Sequence, residues 1–139
     1  IHYRYAFAVL SGALRDEGKM DSAKVVLDRC MQRMPEETIP YNAGITPIIQ
    51  GYFGVGDTAT ANEMVVKYEQ KLESELEYYK LLSHGGKSRF GKTGNDFLGA
   101  VRDINALRSM CLGYGEMDAA RRLEEKLTVY GQDYDRLFR

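Results

Sequence analysis

The chain has 139 residues, of which 44% are hydrophobic and 28% are charged, as in an ordinary globular domain. Its 19 basic and 20 acidic side chains nearly cancel, so no global field would attract nucleic acid or an anionic membrane. No apolar run approaches the ~20 residues that span a bilayer, so no transmembrane segment is expected. The chain opens at Ile1, within a helical pattern and without an initiator Met, which predicts a fragment of a longer protein.

Apolar residues recur every three or four positions along the chain, and no convincing segment alternates apolar with polar residues. Pro is rare, with 3 residues, while Gly is frequent, with 14. The three-to-four-residue period is that of amphipathic α-helices. The sequence therefore predicts an all-α protein of about six helices.

A short element with Gly at its first position and Ala at its sixth occurs three times. It reads "GKMDSA" from Gly18, "GDTATA" from Gly56 and "GEMDAA" from Gly115. Glycine can end a helix in a conformation that costs other residues more, and the acidic residues that follow favour the start of the next helix. The alanine would let two antiparallel helices approach closely. Three helix hairpins are therefore predicted.

The first hairpin matches the tetratricopeptide repeat. The large positions of that repeat are occupied by Phe7, Leu10, Leu14 and Leu27. Gly18 stands at its turn, Ala23 and Cys30 at its small positions, and Pro35 at its helix stop. The match weakens in the second and third hairpins, and the three turn glycines are 38 and 59 residues apart, against ~34 in a regular array. The chain is thus similar to tetratricopeptide proteins, which implies a diverged right-handed solenoid of antiparallel helix hairpins.

The predicted units lie in a single domain, at residues 4–37, 42–83 and 96–131, with a connector at 84–95 and a C-terminal tail at 132–139. The helical pattern from Asp57 to Leu82 contains no breaker, which predicts one unusually long helix of up to about seven turns. Its acidic residues are expected on a solvated face: Glu69, Glu73, Glu75 and Glu77.

Residues 85–95 read "GGKSRFGKTGN" and contain the phosphate-loop pattern from Gly86 to Thr93. A phosphate loop follows a buried strand, whereas the preceding "KLESELEYYKLLSH" has the period of a helix. Nucleotide binding is therefore disfavoured, and no cofactor is expected. The favoured interpretation is a connector whose basic residues Lys87, Arg89 and Lys92 are solvated. Contact of these charges with anionic lipid or with the rest of a parent protein is the alternative.

No catalytic or metal site is predicted. The two histidines, His2 and His84, have no nucleophile near them in sequence, and the serines lack nucleophile-elbow spacing. Cys30 and Cys111 are far apart within apolar helical patterns, so buried free thiols are favoured over a disulfide. The segment is expected not to be an enzyme.

Stacked helix pairs form a concave face from the first helix of each pair, and such faces bind peptides. The groove-facing positions of the tetratricopeptide repeat correspond here to Tyr5, Gly12, Arg15, Thr46, Gln50, Phe53, Arg102, Asn105 and Ser109. This mixture of aromatic, Arg and amide side chains suits a protein or peptide partner. The subtype that binds C-terminal carboxylates is disfavoured, because Ala8 and Gly12 stand where it has Lys and Asn. The long helix or a parent chain could also fill the groove.

Three segments carry a narrower resemblance: "VLDRCMQRMPEETIPYN", "YEQKLESELEYY" and "YGEMDAARRLEEKL". They resemble the soluble C-terminal region of multi-pass membrane proteins of Gram-negative bacteria that are related to oligosaccharyl- and protein O-mannosyl-transferases. The resemblance implies a non-catalytic domain on the periplasmic side of the inner membrane. Its partner would be a protein or the membrane part of the same chain, where catalysis would take place. A stand-alone cytoplasmic tetratricopeptide adaptor is the alternative.

Overall fold

The structure, a computed structural model, describes residues 3–83 and 90–139. Six α-helices follow one another, and no β-strand occurs within these two ranges. The helices are α1 Tyr3–Asp16, α2 Met20–Arg33, α3 Thr46–Gly54, α4 Thr58–Leu82, α5 Phe90–Gly113 and α6 Met117–Phe138, with a short 3-10 helix at Ala43–Ile45 before α3. The prediction of an all-α protein with about six helices is confirmed.

The chain divides into two compact units, residues 1–68 and 69–139, where the sequence predicts a single domain. The first unit contains α1, α2, α3 and the first part of α4, and the second contains the rest of α4 with α5 and α6. Each unit buries its own apolar side chains, which is the main favourable contribution to its folding. The fully buried side chains of the first unit include Leu27, Ile45, Ile48, Ile49 and Tyr52, and those of the second include Leu72, Leu76, Phe97, Ile104, Leu107 and Leu123.

The three hairpin turns share one backbone geometry. Gly18, Gly56 and Gly115 have φ values of 80°, 86° and 78°, the only positive values among the residues that the structure describes. The N–H of each glycine donates to the carbonyl three residues before it. The N–H of the following residue donates to the carbonyl five residues before that residue, and all six bonds measure 2.8–3.1 Å. This is the Schellman motif, which satisfies the last carbonyls of a helix and favours glycine at the left-handed position.

The residue after each glycine stands immediately before the next helix. Its carbonyl accepts the first helical hydrogen bond, at 2.9–3.1 Å, from Ala23, Ala61 and Ala120 respectively. All three alanines are buried, as expected where paired helices approach closely. The second turn adds a side-chain cap, because Asp57 Oδ1 accepts a hydrogen bond from the Thr60 N–H at 3.2 Å. Side-chain hydrogen bonding with Thr60 is the largest reason that the pKa of Asp57 is lowered.

Polar contacts join the helices of the first unit. The buried Ser11 hydroxyl donates to the carbonyl of Ala23 at 3.1 Å, so this serine, which stands where the repeat has glycine, links α1 to α2. The Tyr52 hydroxyl donates to Asp28 Oδ1 at 2.7 Å, and Lys24 Nζ lies 3.1 Å from Asp28 Oδ2. The Tyr52–Asp28 hydrogen bond connects α3 with α2.

Arg4 is buried in α1 and holds the loop that follows α2. Its guanidinium donates to the carbonyl oxygens of Met34 at 2.8 Å, Ile39 at 2.5 Å and Pro40 at 3.4 Å. It also lies 5.5 Å from the centre of the Tyr41 ring, within the range of a cation–π interaction. A cation at the carbonyl end of α2 is favoured by the helix dipole.

The second unit is more helical at both ends than the sequence predicts. α5 begins at Phe90, within the predicted connector 84–95 and ahead of the predicted unit 96–131. α6 continues to Phe138 through the predicted tail 132–139. The two ends pack against each other, since a Cβ on Gly94 would lie 3.5 Å from the Phe138 ring. The Phe97 ring lies 5.3–6.2 Å, centre to centre, from the rings of Tyr130, Tyr134 and Phe138.

Two finer expectations need correction. The predicted long helix is one of three, because α4 has 25 residues, α5 has 24 and α6 has 22. Leu10 stands at a large apolar position of the repeat, yet its side chain is about half exposed. The buried positions of α1 are instead Arg4 and Ser11, and the terminal guanidinium nitrogens of Arg4 and the Ser11 hydroxyl donate hydrogen bonds within the first unit.

We expect Gly115→Ala to destabilise the protein and Gly99→Ala to stabilise it slightly. A Cβ at either position would meet no atom within 4 Å, so the two substitutions differ in backbone conformation and not in steric contact. The left-handed backbone at Gly115 costs an L-residue about 1–2 kcal/mol, whereas alanine is favoured over a mid-helix glycine by about 0.5–1 kcal/mol. Urea unfolding followed by circular dichroism measures both changes. Equal free energies of unfolding for the two variants would contradict the assigned turn.

Candidate functional site

A cavity of about 190 Å³ lies between α1 and α3 in the first unit. On α1 its wall consists of Tyr5, Ala8, Val9, Gly12 and Arg15, and on α3 it consists of Pro47, Gln50 and Gly51. The α1 positions are three or four residues apart, so they follow one face of the helix. The cavity thus brings together four of the residues that sequence assigns to a groove: Tyr5, Gly12, Arg15 and Gln50. We call it the α1–α3 groove.

One end of the α1–α3 groove is apolar and open to solvent. Tyr5 is 60% exposed and Val9, one turn later, is 54% exposed. Such exposed aromatic and aliphatic side chains can bury a large area against a partner. Val9 and Pro47 are absent from the groove predicted by sequence. The four-residue spacing from Tyr5 is a signal that could have identified Val9.

Arg15 is the one charged residue among those that line the α1–α3 groove. Its side chain lies against Gly54 of α3, where a Cβ would be 1.8 Å from Arg15 Nη1 and 2.8 Å from Cζ. No carboxylate among residues 3–83 and 90–139 forms an ion pair with Arg15. Gly54 therefore leaves the space that the guanidinium occupies, and the guanidinium has no anionic partner there.

Phe53 does not line the groove. Its side chain is 6% exposed and belongs to the core of the first unit. The cause is the wide buried face of α3, on which Ile48, Ile49 and Tyr52 are also buried. Thr46 is partly buried and is likewise absent from the groove wall. Of the α3 residues that sequence assigns to the groove, Gln50 is the one that lines it.

Three predicted groove residues lie on α5 in the second unit. Arg102, Asn105 and Ser109 are exposed, and their spacing places them on one face of the helix. The guanidinium of Arg108, on the next turn, donates to Asn105 Oδ1 at 3.1–3.2 Å. The amide oxygen of Asn105 is therefore engaged by its own helix.

The basic connector lies largely outside the described residues, which include neither Lys87 nor Arg89. Lys92 is exposed in the first turn of α5 and forms an ion pair with Asp96 at 3.4 Å. The segment that leads to the phosphate-loop pattern is α4, which is helical to Leu82. A phosphate loop needs a strand in that place, so the geometry disfavours nucleotide binding.

Glu69 and Glu73 of α4 pair with α6 within the second unit, and the expectation of a solvated face is wrong for Glu69, whereas Glu77 is exposed. Glu69 is 2% exposed, and it accepts hydrogen bonds from Arg122 Nε at 2.9 and 3.0 Å. Lys126 Nζ lies 2.6 Å from the same carboxylate and also contacts Glu73. Burial would raise the pKa of Glu69, but the hydrogen bonds from Arg122 and Lys126 outweigh it and lower the pKa overall.

The contacts between α4 and α6 keep one register. Three charged residues of α4 each meet the α6 residue 53 positions later, in the pairs Glu69–Arg122, Glu73–Lys126 and Lys80–Asp133. A constant separation means that the two helices advance together, so they run parallel in this region. We call this row of contacts the charge ladder. A cavity of about 330 Å³ lies beside it, but most charges in its wall are already paired within the ladder.

The cysteines and metal-binding side chains within residues 3–83 and 90–139 form no cluster. Cys30 and Cys111 are free thiols buried in different units, and burial raises the pKa of each to about 11. No group of three or more metal-binding side chains occurs among the described residues. In the same ranges, no helix combines the length and apolarity that crossing a membrane requires.

Comparisons with protein-family models, with curated proteins and with solved structures gave no match. Function is therefore inferred from the geometry and chemistry of the α1–α3 groove.

We expect Glu69→Gln to lower the free energy of unfolding by about 2–3 kcal/mol at pH 7, because it removes charge-assisted hydrogen bonds from a buried carboxylate. The control is Glu73→Gln, whose half-exposed carboxylate should contribute less than about 1 kcal/mol. Urea unfolding measures both values. Similar losses in the two variants would contradict the dominant role of Glu69.

Wild type and Glu69→Gln should also differ in the pH dependence of their free energy of unfolding. The folded-state pKa of Glu69 is lowered, so its stabilisation is present above the unfolded-state pKa and is lost as pH falls through the folded-state pKa. Wild type should therefore lose more stability than Glu69→Gln when the pH is lowered from 6 to about 3. Urea unfolding at half-unit pH steps measures this loss, and parallel curves would exclude the assigned shift.

Titration calorimetry with ATP and Mg²⁺ should detect no binding. The helical segment before Gly86 cannot deliver the strand-to-helix backbone that holds phosphates. Lys92→Ala is the matched variant. Binding heat in the wild type that disappears in Lys92→Ala would establish a nucleotide site.

Proposed function

We propose that the chain is a non-catalytic protein-interaction domain whose α1–α3 groove binds a peptide segment of its partner. The observation that carries this proposal is the single cavity that joins exposed Tyr5 and Val9 to Arg15 and Gln50. Exposed apolar surface bordered by polar side chains is typical of protein-interaction sites. Apolar burial would supply affinity, and the polar side chains would orient the ligand.

The chemistry of the groove wall supports binding over catalysis. Among the residues that the structure describes, the wall contains no carboxylate, histidine or cysteine, the groups that most often act as general bases or nucleophiles. Its charged residue is Arg15, and a guanidinium offers N–H donors but no acceptor. A peptide ligand requires contacts and hydrogen bonds, and these the wall can provide.

We propose further that the hairpins belong to a tetratricopeptide-like right-handed solenoid. The support is the repetition of one turn geometry at Gly18, Gly56 and Gly115, each followed five residues later by a buried alanine. In such arrays each hairpin buries its apolar face against its neighbours. The first helices of successive hairpins then form a common binding face, which agrees with a groove lined by α1 and α3.

The parent protein is proposed to be an envelope membrane protein related to oligosaccharyl- and protein O-mannosyl-transferases, with this domain on the periplasmic side. The proposal rests on the three sequence segments quoted above. The complete open reading frame provides the test. About a dozen apolar segments of about 20 residues before this domain would support the proposal. A reading frame without them would favour a stand-alone cytoplasmic adaptor.

Peptides selected on the wild-type chain from a displayed library of random 12-residue sequences should bind in the α1–α3 groove. Val9→Ala should weaken their binding by about five- to tenfold, the value of one partly lost aliphatic contact. Val25→Ala is a matched control, because Val25 is 55% exposed in the same unit but does not line the groove. Fluorescence polarisation measures both affinities. Failure to select any peptide, or equal effects of the two substitutions, would contradict the proposed function.

A further inference from the structure

We propose that the α1–α3 groove selects an extended peptide with an Asp or Glu about four or five residues from an apolar side chain. Arg15 binds the carboxylate, and Gly54 positions Arg15. This inference rests on the proposed function and names the class of partner that the groove accepts.

The charge of the groove determines the sign of the charge that its ligand should carry. Arg15 is partly buried, it is the charged residue of the wall, and no carboxylate of the described chain pairs with it. An arginine in this state gains from a carboxylate, because two N–H groups of the guanidinium can donate to its two oxygens. A Lys or Arg in the same place on a ligand would be repelled. Acidic peptides therefore fit the groove better than basic or neutral ones.

Gly54 determines where the guanidinium lies. A Cβ at this position would overlap Arg15 Nη1 at 1.8 Å and would crowd Cζ at 2.8 Å, so the Arg15 side chain rests directly on the backbone of α3. Gly54 has an ordinary helical backbone and is not among the left-handed glycines. The fold therefore does not need glycine here for its conformation, and the space beside it serves the placement of Arg15. Gly54 is a positioning residue.

The length of the groove sets the spacing within the ligand. Tyr5 and Arg15 are both on α1, and ten residues of helix span about 15 Å. An extended chain covers about 3.3 Å per residue, so an apolar side chain at Tyr5, the far end of the groove, lies four or five residues from a carboxylate at Arg15. A free small anion would use the guanidinium alone and would leave the apolar end of the groove empty. A peptide with both features uses the whole wall.

The test uses the random 12-residue library on the full chain. Selected peptides should be enriched in an apolar residue and an Asp or Glu at the stated spacing. For each selected peptide, the acidic residue is replaced by its amide, and both forms are titrated against four proteins by fluorescence polarisation. These proteins are wild type, Arg15→Gln, Gly54→Ala and the charge control Arg29→Gln, which changes an exposed arginine of α2 outside the groove.

On wild type and on Arg29→Gln, the acid-to-amide change should weaken binding by about 10- to 100-fold. On Arg15→Gln the two forms should bind equally, because the partner of the carboxylate is gone. Gly54→Ala should reduce the preference for the acidic form at least several-fold without lowering the melting temperature, since alanine is favoured over glycine in a helix. Arg15→Lys should restore part of the preference, because it keeps the charge but not the planar fork.

The outcomes separate the two proposals. If peptides bind in a Val9-dependent way but show no acidic enrichment, or if the acid-to-amide change has the same effect on wild type and on Arg15→Gln, the inference about Arg15 is wrong and the groove still binds peptides. If the preference is unchanged in Gly54→Ala, the positioning role of Gly54 is wrong. If the library yields no peptide that depends on Val9, the proposed function and this inference both fail.

Discussion

The left-handed glycine turn is the constraint on which the rest of the structure depends. At each of the three turns, one residue with positive φ satisfies the last carbonyls of one helix, and the next residue accepts the first hydrogen bond of the following helix. Three residues separate the two helices at each turn, so the chain reverses direction tightly. The paired helices are then close enough that the alanine five residues after the glycine is buried. A local backbone preference thus sets the distance at which two helices pack.

In the first unit this close approach has a functional consequence. Because the turn at Gly18 places α2 directly behind α1, the polar contact of Ser11 with Ala23 faces inward, and Tyr5, Val9 and Arg15 are left on the side that meets α3. In the second unit the turn at the end of α5 brings α6 back along α5. A different face of α6 carries the basic residues of the charge ladder. The glycine turns therefore leave a face of α1 open to the groove in the first unit, whereas in the second unit a face of α6 is occupied by ion pairs with α4.

The features that follow from local sequence were predicted correctly. The helical class, the approximate number of helices and the left-handed turns depend on residues within one helical turn of each other, so periodicity and glycine placement suffice. The placement of Tyr5, Arg15 and Gln50 on one wall agrees with the groove positions that the tetratricopeptide resemblance implies. A sequence pattern is sufficient to predict these parts of the candidate site.

The features that depend on distant partners were missed. The sequence predicts that Glu69 is solvated, but it pairs with Arg122 of α6, 53 positions later. The first turns of α5 lack an obvious helix start, and Gly94 within them lies beside Phe138 at the end of α6. Phe53 is buried because α3 is covered on a wider face than an amphipathic pattern implies. In each example tertiary contact overrides the local preference, and a single sequence contains no direct record of which segments will meet.

The contact between Arg15 and Gly54 is of a third kind, because it depends on the lack of a side chain at Gly54. A glycine inside a helix normally lowers stability by about 0.5–1 kcal/mol relative to alanine, so one with ordinary helical geometry calls for another explanation. At Gly51 the explanation is packing, because a Cβ there would lie 2.8 Å from the buried side chain of Leu27. At Gly54 the atom in the way belongs to a cation at the edge of a groove. Two glycines three residues apart on one helix thus serve different ends: the first lets the core close, and the second gives a guanidinium a fixed place from which to meet a ligand.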